Sequence, residues 1–382
     1  MRISETRILN FRNLAATDLQ FSPRVNLFLG ANGQGKTNLL EALNYVALGR
    51  SHRGARAEDL INFDADHLHV QLKIAGDEGE VIDFEYGIQR GGGRRFRIDG
   101  DPVHRRSELV GKLVTVFFSP DTIGLVRRGP DRRRRFVDQG VATIDRYYLG
   151  HLQSYLRALK QKNRLLHEMK RRHVSERAGR PELEAWNRKL AQHGAHVCRG
   201  RATYTHWIRP HAAKVYAGLA GEEVDLEFTY KPSLEITLAR AENGRENGYL
   251  ERDILAVFDY IMGDEIRRGR PVSGPQMDDF EIRLSGHDLR AFGSQGETRT
   301  AAISLVLAQS DVVYQMRNTR PVLFFDDIFS ELDRKRSQQL QELSVQHHQL
   351  FIATARAEDV AGWQPLDMRV WEVEKGRLEA VA

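Results

Sequence analysis

The residue types best suited to chemistry are gathered in a glycine-rich segment near the N-terminus, which runs Gly30, Ala31, Asn32, Gly33, Gln34, Gly35, Lys36, Thr37. This segment fills every fixed position of the phosphate-binding pattern G-x-x-x-x-G-K-[ST]. In such loops, glycines let backbone N–H groups turn toward phosphate oxygens at the start of a helix. We expect Lys36 to face the β- and γ-phosphates of a nucleotide and the Thr37 hydroxyl to ligate Mg²⁺. A chance glycine-rich turn is the alternative.

The elements on either side of the loop favour the phosphate-binding interpretation. Val25–Leu29 is a short apolar run typical of a strand, and the residues from Lys36 to about Leu48 have apolar side chains at helical spacing. A strand, a loop and a helix in this order are the context that the pattern requires.

Two adjacent carboxylates, Asp326 and Asp327, end the apolar run Val322–Phe325 in the last quarter of the chain. Carboxylates at the end of a buried strand are costly unless a metal ion or hydrogen-bond donors offset them. Asp326 is therefore a candidate Mg²⁺ partner, and Asp327 could orient or deprotonate an attacking water. An acidic turn facing solvent is the alternative.

The segment Ser294-Gln295-Gly296-Glu297 precedes a helical pattern that runs from Thr298 to about Tyr314. Ser-x-x-Glu at this place is a capping box, and a capped helix start that contains Gly296 is also a good anion site. The two roles are compatible. The segment Ser330–Asp333 allows the same two roles, a helix cap and a binding site, since acidic residues are favourable in the first turn of a helix.

The chain divides into three predicted segments, which are residues 1–125, 126–270 and 271–382. The first contains the glycine-rich loop and runs typical of an antiparallel meander and a buried strand: His67–Ile74, Val81–Gln89, Arg94–Asp99 and Leu113–Phe118. The last returns to an alternation of strands and helices. The wide separation of Thr37 from Asp326 thus predicts that one domain interrupts another.

The middle segment has the periodicity of two paired helices. Leucines recur at steps of three and four from Leu149 to Leu166, and a second seam runs from Leu183 to Val197. Between these seams, His173–Pro181 is polar. The pattern predicts an antiparallel helical hairpin that projects as a short arm, and two ordinary core helices are the alternative.

Positive charge is concentrated in the same middle segment. Residues 127–172 contain fourteen Lys and Arg against four Asp and Glu, a net charge of +10, whereas the whole chain carries +5. Such clustering indicates a polyanion partner, with a solvated helical face as the alternative. The candidate DNA-binding residues are Arg132, Arg133, Arg134, Arg135, Arg157 and Lys160. Any of the first four could instead pair with an acidic residue of the protein.

The whole-chain composition excludes several classes of protein. Cys198 is the one cysteine, so we expect neither an intramolecular disulfide nor a cysteine-based metal site. No apolar run approaches the roughly 18 residues of a membrane helix, and the N-terminus lacks the apolar block of a signal peptide. These features predict a cytoplasmic protein without a membrane partner.

Taken in order, these motifs resemble the ABC-type ATPases of chromosome maintenance, which include SMC proteins and RecF, and the match to the RecF family is close. The segments that carry the resemblance are ILNFRNL at Ile8–Leu14, GANGQGKTN at Gly30–Asn38, FSP at Phe118–Pro120, RRRFVD at Arg133–Asp138 and FFDDIFSELD at Phe324–Asp333. The resemblance implies an α/β fold, an ABC-type P-loop ATPase head with an antiparallel β subdomain and an inserted, mainly helical arm domain.

The resemblance also assigns roles to residues. It implies that ATP and Mg²⁺ bind at Gly30–Asn38, with Asp326 as a metal partner. It implies that Ser294, Gly296 and Glu297 bind the γ-phosphate of ATP held by a second subunit, and that Asp333 contacts this subunit. Two ATP molecules would then lie between two copies related by a two-fold axis.

Two positions depart from the pattern of ABC transporters. Asp327 stands where a glutamate is usual, and Thr354 stands where a histidine is usual. Thr354 could sense the γ-phosphate but is a poor general base, so slow hydrolysis is expected. The segment Gly274–Asp279 also resembles a family motif, but it carries Gln276 and Met277 where the family usually has His-Arg.

The family resemblance implies a weak, DNA-stimulated ATPase that acts in DNA repair and replication at gapped DNA and single-strand/double-strand junctions. The implied partners are double-stranded DNA, a second copy of the chain in the presence of ATP, RecR with RecO, and indirectly RecA. An SMC-type structural chromosome protein is one alternative, which the short arm disfavours. An ABC transporter ATPase subunit and a P-loop kinase are the others.

Overall fold

Strands dominate the first third of the chain and helices its middle third in the computed structural model, which describes residues 1–14, 16–76, 79–105, 108–222, 224–234, 236, 247–345, 349–360 and 367–381. The strands are β1 (Arg2–Leu9), β2 (Thr17–Gln20), β3 (Val25–Leu29), β4 (His67–Ala75), β5 (Val81–Gln89), β6 (Gly93–Ile98), β7 (Asp101–Pro102), β8 (Thr115–Phe118), β9 (Leu226–Lys231), β10 (Asp279–Leu284), β11 (His287–Asp288), β12 (Val322–Asp326), β13 (Leu350–Thr354), β14 (Met368–Glu374) and β15 (Arg377–Ala380). The helices are α1 (Lys36–Leu48), α2 (Gly124–Arg127), α3 (Pro130–Ile144), α4 (Tyr148–Arg171), α5 (Glu176–Ala220), α6 (Asn247–Arg268), α7 (Leu289–Phe292), α8 (Gln295–Arg317) and α9 (Arg334–Val345). None of these helices is long and apolar enough to cross a membrane.

The chain forms two units. Unit 1 takes residues 1–123, 217–222 and 303–382, and unit 2 takes residues 124–216 and 223–302. Unit 2 contains the predicted arm but continues past residue 270, because β10 and β11 pair with β9 in one sheet. The strand-and-helix alternation that follows Pro271 therefore begins inside unit 2.

The glycine-rich loop belongs to a mostly parallel sheet of unit 1, in which the strand order is β15-β14-β3-β13-β12-β8. β3 lies between β13 and β14 and is parallel to both, and β12 lies between β13 and β8. Strands of such sheets are continuous apolar runs, and both β12 and β13 are buried along their whole length. The carboxyl ends of β3 and β12 consequently reach the same edge of the sheet.

The second sheet of unit 1 is antiparallel, with the strand order β2-β1-β4-β5-β6-β7. It contains the three strands of the predicted meander as β4, β5 and β6. Alternate residues of β4 are buried, and this face shares a hydrophobic core with α1. Tyr45 of α1 stacks on Tyr86 of β5 with ring centroids 4.6 Å apart. The other face of the sheet is polar.

Unit 2 is organised by two aspartates at the start of β10. Asp278 is fully buried and accepts a hydrogen bond from Arg201 of α5, with Nη1 and Oδ2 2.8 Å apart. Asp279 pairs with Arg133 of α3, with Nε and Oδ1 2.7 Å apart. Because charges inside a protein must be paired and hydrogen-bonded, these two contacts hold α3 and α5 to the sheet β11-β10-β9.

The predicted helical pair is present as α4 and α5, but α6 packs against it as well. Residues of the three helices share one core, which includes Tyr155, Leu190 and Ile254. The predicted phase of the first seam is wrong at Leu156, which is 48% exposed, whereas Tyr155 and Ala158 are buried. The leucine pattern fails here because the stripe that faces both neighbouring helices is built from tyrosine, alanine and a lysine.

That lysine forms a buried ion pair between α4 and α6. Lys162 Nζ lies 2.6 Å from the Glu265 carboxylate, and the two side chains are 1% and 0% exposed. The ammonium group also lies 4.7 Å from the centroid of the Phe258 ring. Burial raises the pKa of Glu265 and lowers that of Lys162, while each charge offsets the effect on the other. Neither group would remain charged here without its partner.

Replacing Lys162 with methionine should destabilise unit 2 by about 3–5 kcal/mol, because Glu265 stays buried without its cation. The double variant Lys162→Met, Glu265→Leu should recover most of the loss, since it removes both charges. Urea denaturation followed by circular dichroism measures both effects. Arg180→Ala, which breaks an exposed pair with Glu176, is the control and should cost at most about 1 kcal/mol. A double variant no more stable than Lys162→Met would contradict this account.

Candidate nucleotide site

The glycine-rich loop joins the end of β3 to the start of α1, as predicted. Gly30 is required because a Cβ there would lie 2.3 Å from the carbonyl oxygen of Val373 in β14. Gly35 has a φ of +118°, and its Cβ would lie 2.9 Å from Asn13 Oδ1. The middle of the loop, Ala31–Gly33, is exposed. The loop thus leaves room for an anion at the N-terminus of a 13-residue helix.

Gln34 anchors the loop to the turn between β14 and β15. Its side-chain Oε1 accepts the Lys375 N–H at 2.7 Å, and its carbonyl oxygen accepts the Gly376 N–H at 2.8 Å. The Asn13 side chain donates to the same carbonyl at 3.1 Å. The side chain of Gln34, predicted to bind nucleotide, therefore holds the shape of the loop.

Lys36 turns back over the loop. Its ammonium group donates to the carbonyl oxygens of Gly30 at 2.5 Å and Ala31 at 2.9 Å. Burial lowers the pKa of Lys36, and the nearby carboxylates of Asp326 and Asp327 partly offset this effect. The lysine is thus a positive charge at the centre of the loop, where phosphate oxygens would neutralise it.

Thr37 and Asp326 meet at the start of α1. The Thr37 hydroxyl donates to Asp326 Oδ1 at 2.8 Å, although the two residues come from distant parts of the chain. Burial raises the pKa of Asp326 to about 6, against the hydrogen bond from Thr37. A hydroxyl and a carboxylate oxygen side by side are ligands suited to Mg²⁺, and a cation would stabilise the ionised form of this carboxylate. The residues present therefore fit a magnesium ion.

Asp327 follows with a backbone conformation that is rare outside glycine, a φ of +51°. The conformation is held by two hydrogen bonds, since the Asp327 N–H donates to Ala353 O and its carbonyl accepts the Ser330 hydroxyl, both at 2.8 Å. Unusual backbone conformations of this kind concentrate at functional sites. This conformation positions the Asp327 carboxylate near Lys36, and the negative charge of the carboxylate raises the pKa of Lys36.

Thr354 ends β13 and is fully buried. Its hydroxyl donates to Asp359 Oδ2 at 2.7 Å and accepts the Arg356 N–H at 3.3 Å. The hydroxyl proton is therefore already used within the loop that follows β13, and in this geometry it is not available to a phosphate. Contact with the γ-phosphate stays a prediction that requires this bond to break.

A charged cluster beside the loop escaped sequence analysis. Glu41 of α1 is fully buried, and its carboxylate lies 2.6 Å from Arg12 Nε and 3.6 Å from Arg53 Nη1. The Ser51 hydroxyl donates to the same carboxylate. Arg12 lies in the family segment Ile8–Leu14, but no motif marks Arg53. A glutamate on the buried side of a helix is the one signal in the sequence that a cationic partner is needed.

Arg53 is the member of this cluster whose charge acts on Asp326, one of the two candidate metal ligands. Its Nη1 donates to Asn38 Oδ1 at 3.2 Å, and its charge lowers the pKa of Asp326. The side chain of Asn38, predicted to bind nucleotide, also donates to Asn13 Oδ1 at 2.7 Å. Asn38 thus orients the guanidinium group of Arg53 beside the loop.

The predicted signature Ser294–Glu297 lies in unit 2, at the N-terminus of α8. It forms a capping box, since the Ser294 N–H donates to Glu297 Oε2 at 2.8 Å and the Glu297 N–H donates to Ser294 Oγ at 3.3 Å. Ser294 is exposed, and Gly296 is partly buried. The cap is confirmed, and it leaves the start of a 23-residue helix accessible to an anion.

Asp333, predicted to face a second subunit, begins α9 in unit 1. Its Oδ1 accepts the Arg336 N–H at 2.9 Å, and its Oδ2 lies 3.2 Å from Arg336 Nη1. The side chain is 55% exposed. Asp333 therefore caps this helix and still presents a carboxylate at the surface.

The candidate DNA-binding arginines of α3 differ in environment. Arg133 is 3% exposed, because Asp279 and the carbonyl oxygens of Leu125, Val126 and Arg128 surround its guanidinium. The prediction that Arg133 contacts DNA is therefore wrong. Arg134 is mostly buried and donates to the carbonyl of Asp278 and to the side chain of Asp131. Arg132 is partly buried, whereas Arg135, and Arg157 and Lys160 of α4, are exposed.

The motif Gly274–Asp279 contacts three helices through Gln276, Asp278 and Asp279. Gln276 accepts a hydrogen bond from the Tyr155 hydroxyl of α4, and Met277 is 41% exposed. The ion pairs described above come from Asp278 and Asp279. The aspartates and the glutamine thus contact α3, α4 and α5, and no contact of Met277 contributes to them.

Comparison with known proteins agrees with this architecture. The family model of the RecF/RecN/SMC N terminal domain matches residues 2–376. The chain is 31% identical to the DNA replication and repair protein RecF of Oceanobacillus iheyensis, over 94% of this chain and 95% of that one. It is also 31% identical to the RecF of Lachnoclostridium phytofermentans, over 99% of both chains.

Solved structures give the same result. The recombination mediator protein RecF-ATPrS in the RecFOR pathway matches with a TM-score of 0.89 and 29% identity, over 100% of this chain and 98% of that one. RecF-ATP matches with a TM-score of 0.88 and 28% identity. An Smc head bound to a domain of ScpA matches with a TM-score of 0.58 at 15% identity, which shows a shared fold alone. The predicted fold class, an ABC-type P-loop ATPase head with an antiparallel β subdomain and a helical arm, is confirmed, and the chain belongs to the RecF family of DNA replication and repair proteins.

Proposed function

We propose that the chain binds ATP with Mg²⁺ at the loop Gly30–Thr37 and hydrolyses it slowly. The observation that carries this proposal is the 2.8 Å contact between the Thr37 hydroxyl and the Asp326 carboxylate, which puts two oxygen ligands at the start of α1. A bound magnesium ion neutralises charge on the phosphate oxygens during phosphoryl transfer. Relatives of known structure are described as RecF-ATP and RecF-ATPrS, which supports ATP as the nucleotide.

The surrounding side chains bind the phosphates, orient the attacking water and stabilise negative charge. Lys36 exchanges its two carbonyl contacts for phosphate oxygens, and its charge binds the β- and γ-phosphates. Asp327 orients the attacking water, with the shorter side chain that favours slow turnover. Arg53 supplies a second cation beside the Thr37–Asp326 pair, where it stabilises negative charge on the nucleotide.

Arg53→Ala should weaken ATP binding by about tenfold or more, because a charge-assisted hydrogen bond contributes roughly 1.5–3 kcal/mol. Isothermal titration with ATP and Mg²⁺ measures the effect. Arg56→Ala is the matched control, since Arg56 is an exposed arginine three residues further along the same loop. Equal ATP affinity of Arg53→Ala and the wild type would exclude a nucleotide role for Arg53.

We further propose that ATP joins two copies of the chain head to tail, with Ser294–Glu297 of one copy on the nucleotide of the other. Three observations support it: the signature lies in a different unit from the loop, its helix N-terminus is accessible, and Asp333 presents an exposed carboxylate. Each nucleotide would complete an interface that one subunit cannot close alone, so ATP would stabilise the dimer by mass action. Hydrolysis would then release it.

Two variants test the pairing. Lys36→Arg should weaken ATP binding or hydrolysis and the dimer together, because both depend on the same phosphate contacts. Ser294→Arg should leave ATP binding by the monomer intact and block dimerisation, because a bulky side chain fills the contact with the other copy. Light scattering with ATP and DNA measures the oligomer, and isothermal titration measures ATP binding.

Ala178→Arg, which adds the same side chain to another exposed position of unit 2, is the control and should dimerise normally. A normal ATP-dependent dimer of Lys36→Arg would contradict the proposal that ATP joins the two copies. Loss of ATP binding by monomeric Ser294→Arg would mean instead that Ser294 contacts the nucleotide of its own chain.

We propose that unit 2 binds the backbone of double-stranded DNA through Arg132, Arg135, Arg157 and Lys160, with Arg134 contributing its partly exposed edge. The exposure of Arg157 and Lys160 on one face of α4 supports this role. Arginine and lysine contacts to phosphates give affinity without selecting a sequence. Such binding suits a protein that acts at gaps and junctions wherever they occur, and contact with DNA would stimulate the weak ATPase by favouring the dimer.

The double variant Arg157→Ala, Lys160→Ala should lower the slope of log affinity against log salt by roughly 1.8 for duplex DNA, since each phosphate contact contributes about 0.9. Fluorescence anisotropy at several salt concentrations measures the slope. Arg283→Ala, an arginine of unit 2 that pairs with Glu281, is the control. An unchanged slope would remove α4 from the duplex-binding surface.

The cellular role that we propose is assistance with RecA loading at gapped DNA and single-strand/double-strand junctions, together with RecO and RecR. Its support is that solved relatives are described as recombination mediators in the RecFOR pathway. A cytoplasmic location is part of the proposal, supported by the single, buried cysteine. Failure of purified RecR to bind the ATP-loaded dimer on gapped DNA would contradict this role.

A further inference from the structure

A second basic surface lies in unit 1, on the hairpin of β5 and β6. Arg94, Arg95 and Arg97 are exposed on β6, and none of them forms an ion pair with another residue that the structure describes. By contrast, Arg7 of the same sheet pairs with Asp18 at 2.8 Å. Successive residues of a strand point to opposite faces, so Arg95 and Arg97 share one face. Neighbouring cations on one face repel one another, and an external anion would stabilise them.

The register of the sheet opens a space beside these arginines. Arg95 lies opposite Gly87 of β5, and Gly87 lies opposite His69 of β4. Because Gly87 has no side chain, the strand position beside the Arg95 guanidinium is open, whereas the His69 imidazole lies 3.7 Å from the Glu85 carboxylate. Arg97 lies about 6.8 Å further along the strand, opposite Glu85 of β5.

An exposed aromatic ring is tied to the same hairpin. Phe63 is 99% exposed on a turn closed by a hydrogen bond from the Ala65 N–H to the Asn62 carbonyl at 3.1 Å. Arg90, at the end of the hairpin, donates to the carbonyl oxygens of Asn62 at 3.4 Å and Ala65 at 3.2 Å. The ring is therefore presented to solvent by an ordered turn.

A simpler explanation covers only part of this surface. Charges on a strand near a sheet edge prevent pairing with other chains, and Arg94 is enough for that. Arg95 and Arg97 lie on the polar face of the sheet, and edge protection does not need an exposed phenylalanine. Asp64 and Asp66 follow Phe63 and repel phosphates there, so an anion would contact the arginine end while the ring meets an uncharged group.

We propose that Phe63, Arg95 and Arg97 form a binding surface for single-stranded DNA. The arginines contact phosphates and Phe63 stacks on an unpaired base, which is the combination that single-strand binding uses. A duplex hides the faces of its bases and cannot use the ring. The inference rests on the proposed function in DNA binding and assigns the single-stranded part of a junction to unit 1.

Fluorescence anisotropy of the full chain with ATP tests this surface on a labelled oligo-dT strand and a blunt duplex. Phe63→Ala should weaken oligo-dT binding about fivefold or more and leave duplex binding unchanged, because stacking needs an unpaired base. The double variant Arg95→Ala, Arg97→Ala should lower the salt slope for oligo-dT by roughly 1.4, since each single-strand phosphate contact contributes about 0.7.

Two controls match the chemistry of the changes. Tyr260→Ala removes another aromatic ring, 90% exposed in unit 2, and Arg7→Ala removes the paired arginine of the same sheet; both should bind oligo-dT as the wild type does. Unchanged oligo-dT binding by Phe63→Ala overturns the proposal. Equal losses on oligo-dT and duplex make the surface a duplex site, and binding to anionic phospholipid vesicles in place of oligo-dT assigns it to a membrane. A wild type that binds neither DNA refutes the proposed function itself.

Discussion

The parallel sheet that brings Thr37 and Asp326 into hydrogen-bond contact is the constraint on which the nucleotide site of unit 1 depends. The two residues are 289 positions apart, and they meet because the sheet places β13 between the strands that precede them. The loop that begins α1 is held by the same arrangement, since Gly30 fits closely against β14 and Gln34 is bound by the turn after β14. The nucleotide site is thus a property of the whole parallel sheet, and the glycine-rich segment is only its most visible part.

Those parts of the fold that depend on local pattern could be predicted from the sequence. β3, α1 and β12 follow from continuous apolar runs and helical spacing, and the cap at Ser294 and Glu297 follows from their separation of three residues. The environment of each arginine could not be predicted. Arg133 and Arg135 are two residues apart on one helix, but Arg133 meets Asp279, which is 146 positions away, and Arg135 meets solvent. The sequence predicts that any of these arginines could pair with an acidic residue, but it does not show which one does.

The candidate site shows the same division. The residues with fixed spacing in the loop, and the acidic pair at the end of β12, were identified from their types alone. Arg53 was missed because its importance comes from Glu41 and Asn38, whose side chains orient it. The role predicted for Thr354 comes from its place where ABC transporters usually have a histidine, and its hydrogen bond to Asp359 depends on the loop that follows β13. Long-range partners, rather than residue types, therefore decide which polar groups remain available for a ligand.

The position of β3 has a consequence for biosynthesis. This strand is made within the first 30 residues, but its neighbours in the sheet are β13, which begins at Leu350, and β14, which begins at Met368. At the usual rates of translation, roughly 20–70 s separate the synthesis of β3 from that of its partners. During this interval an apolar strand is exposed without a place in its sheet, and a nascent chain stalled before Leu350 has no nucleotide site. The protein can therefore begin to respond to ATP only after β13 and β14 have left the ribosome.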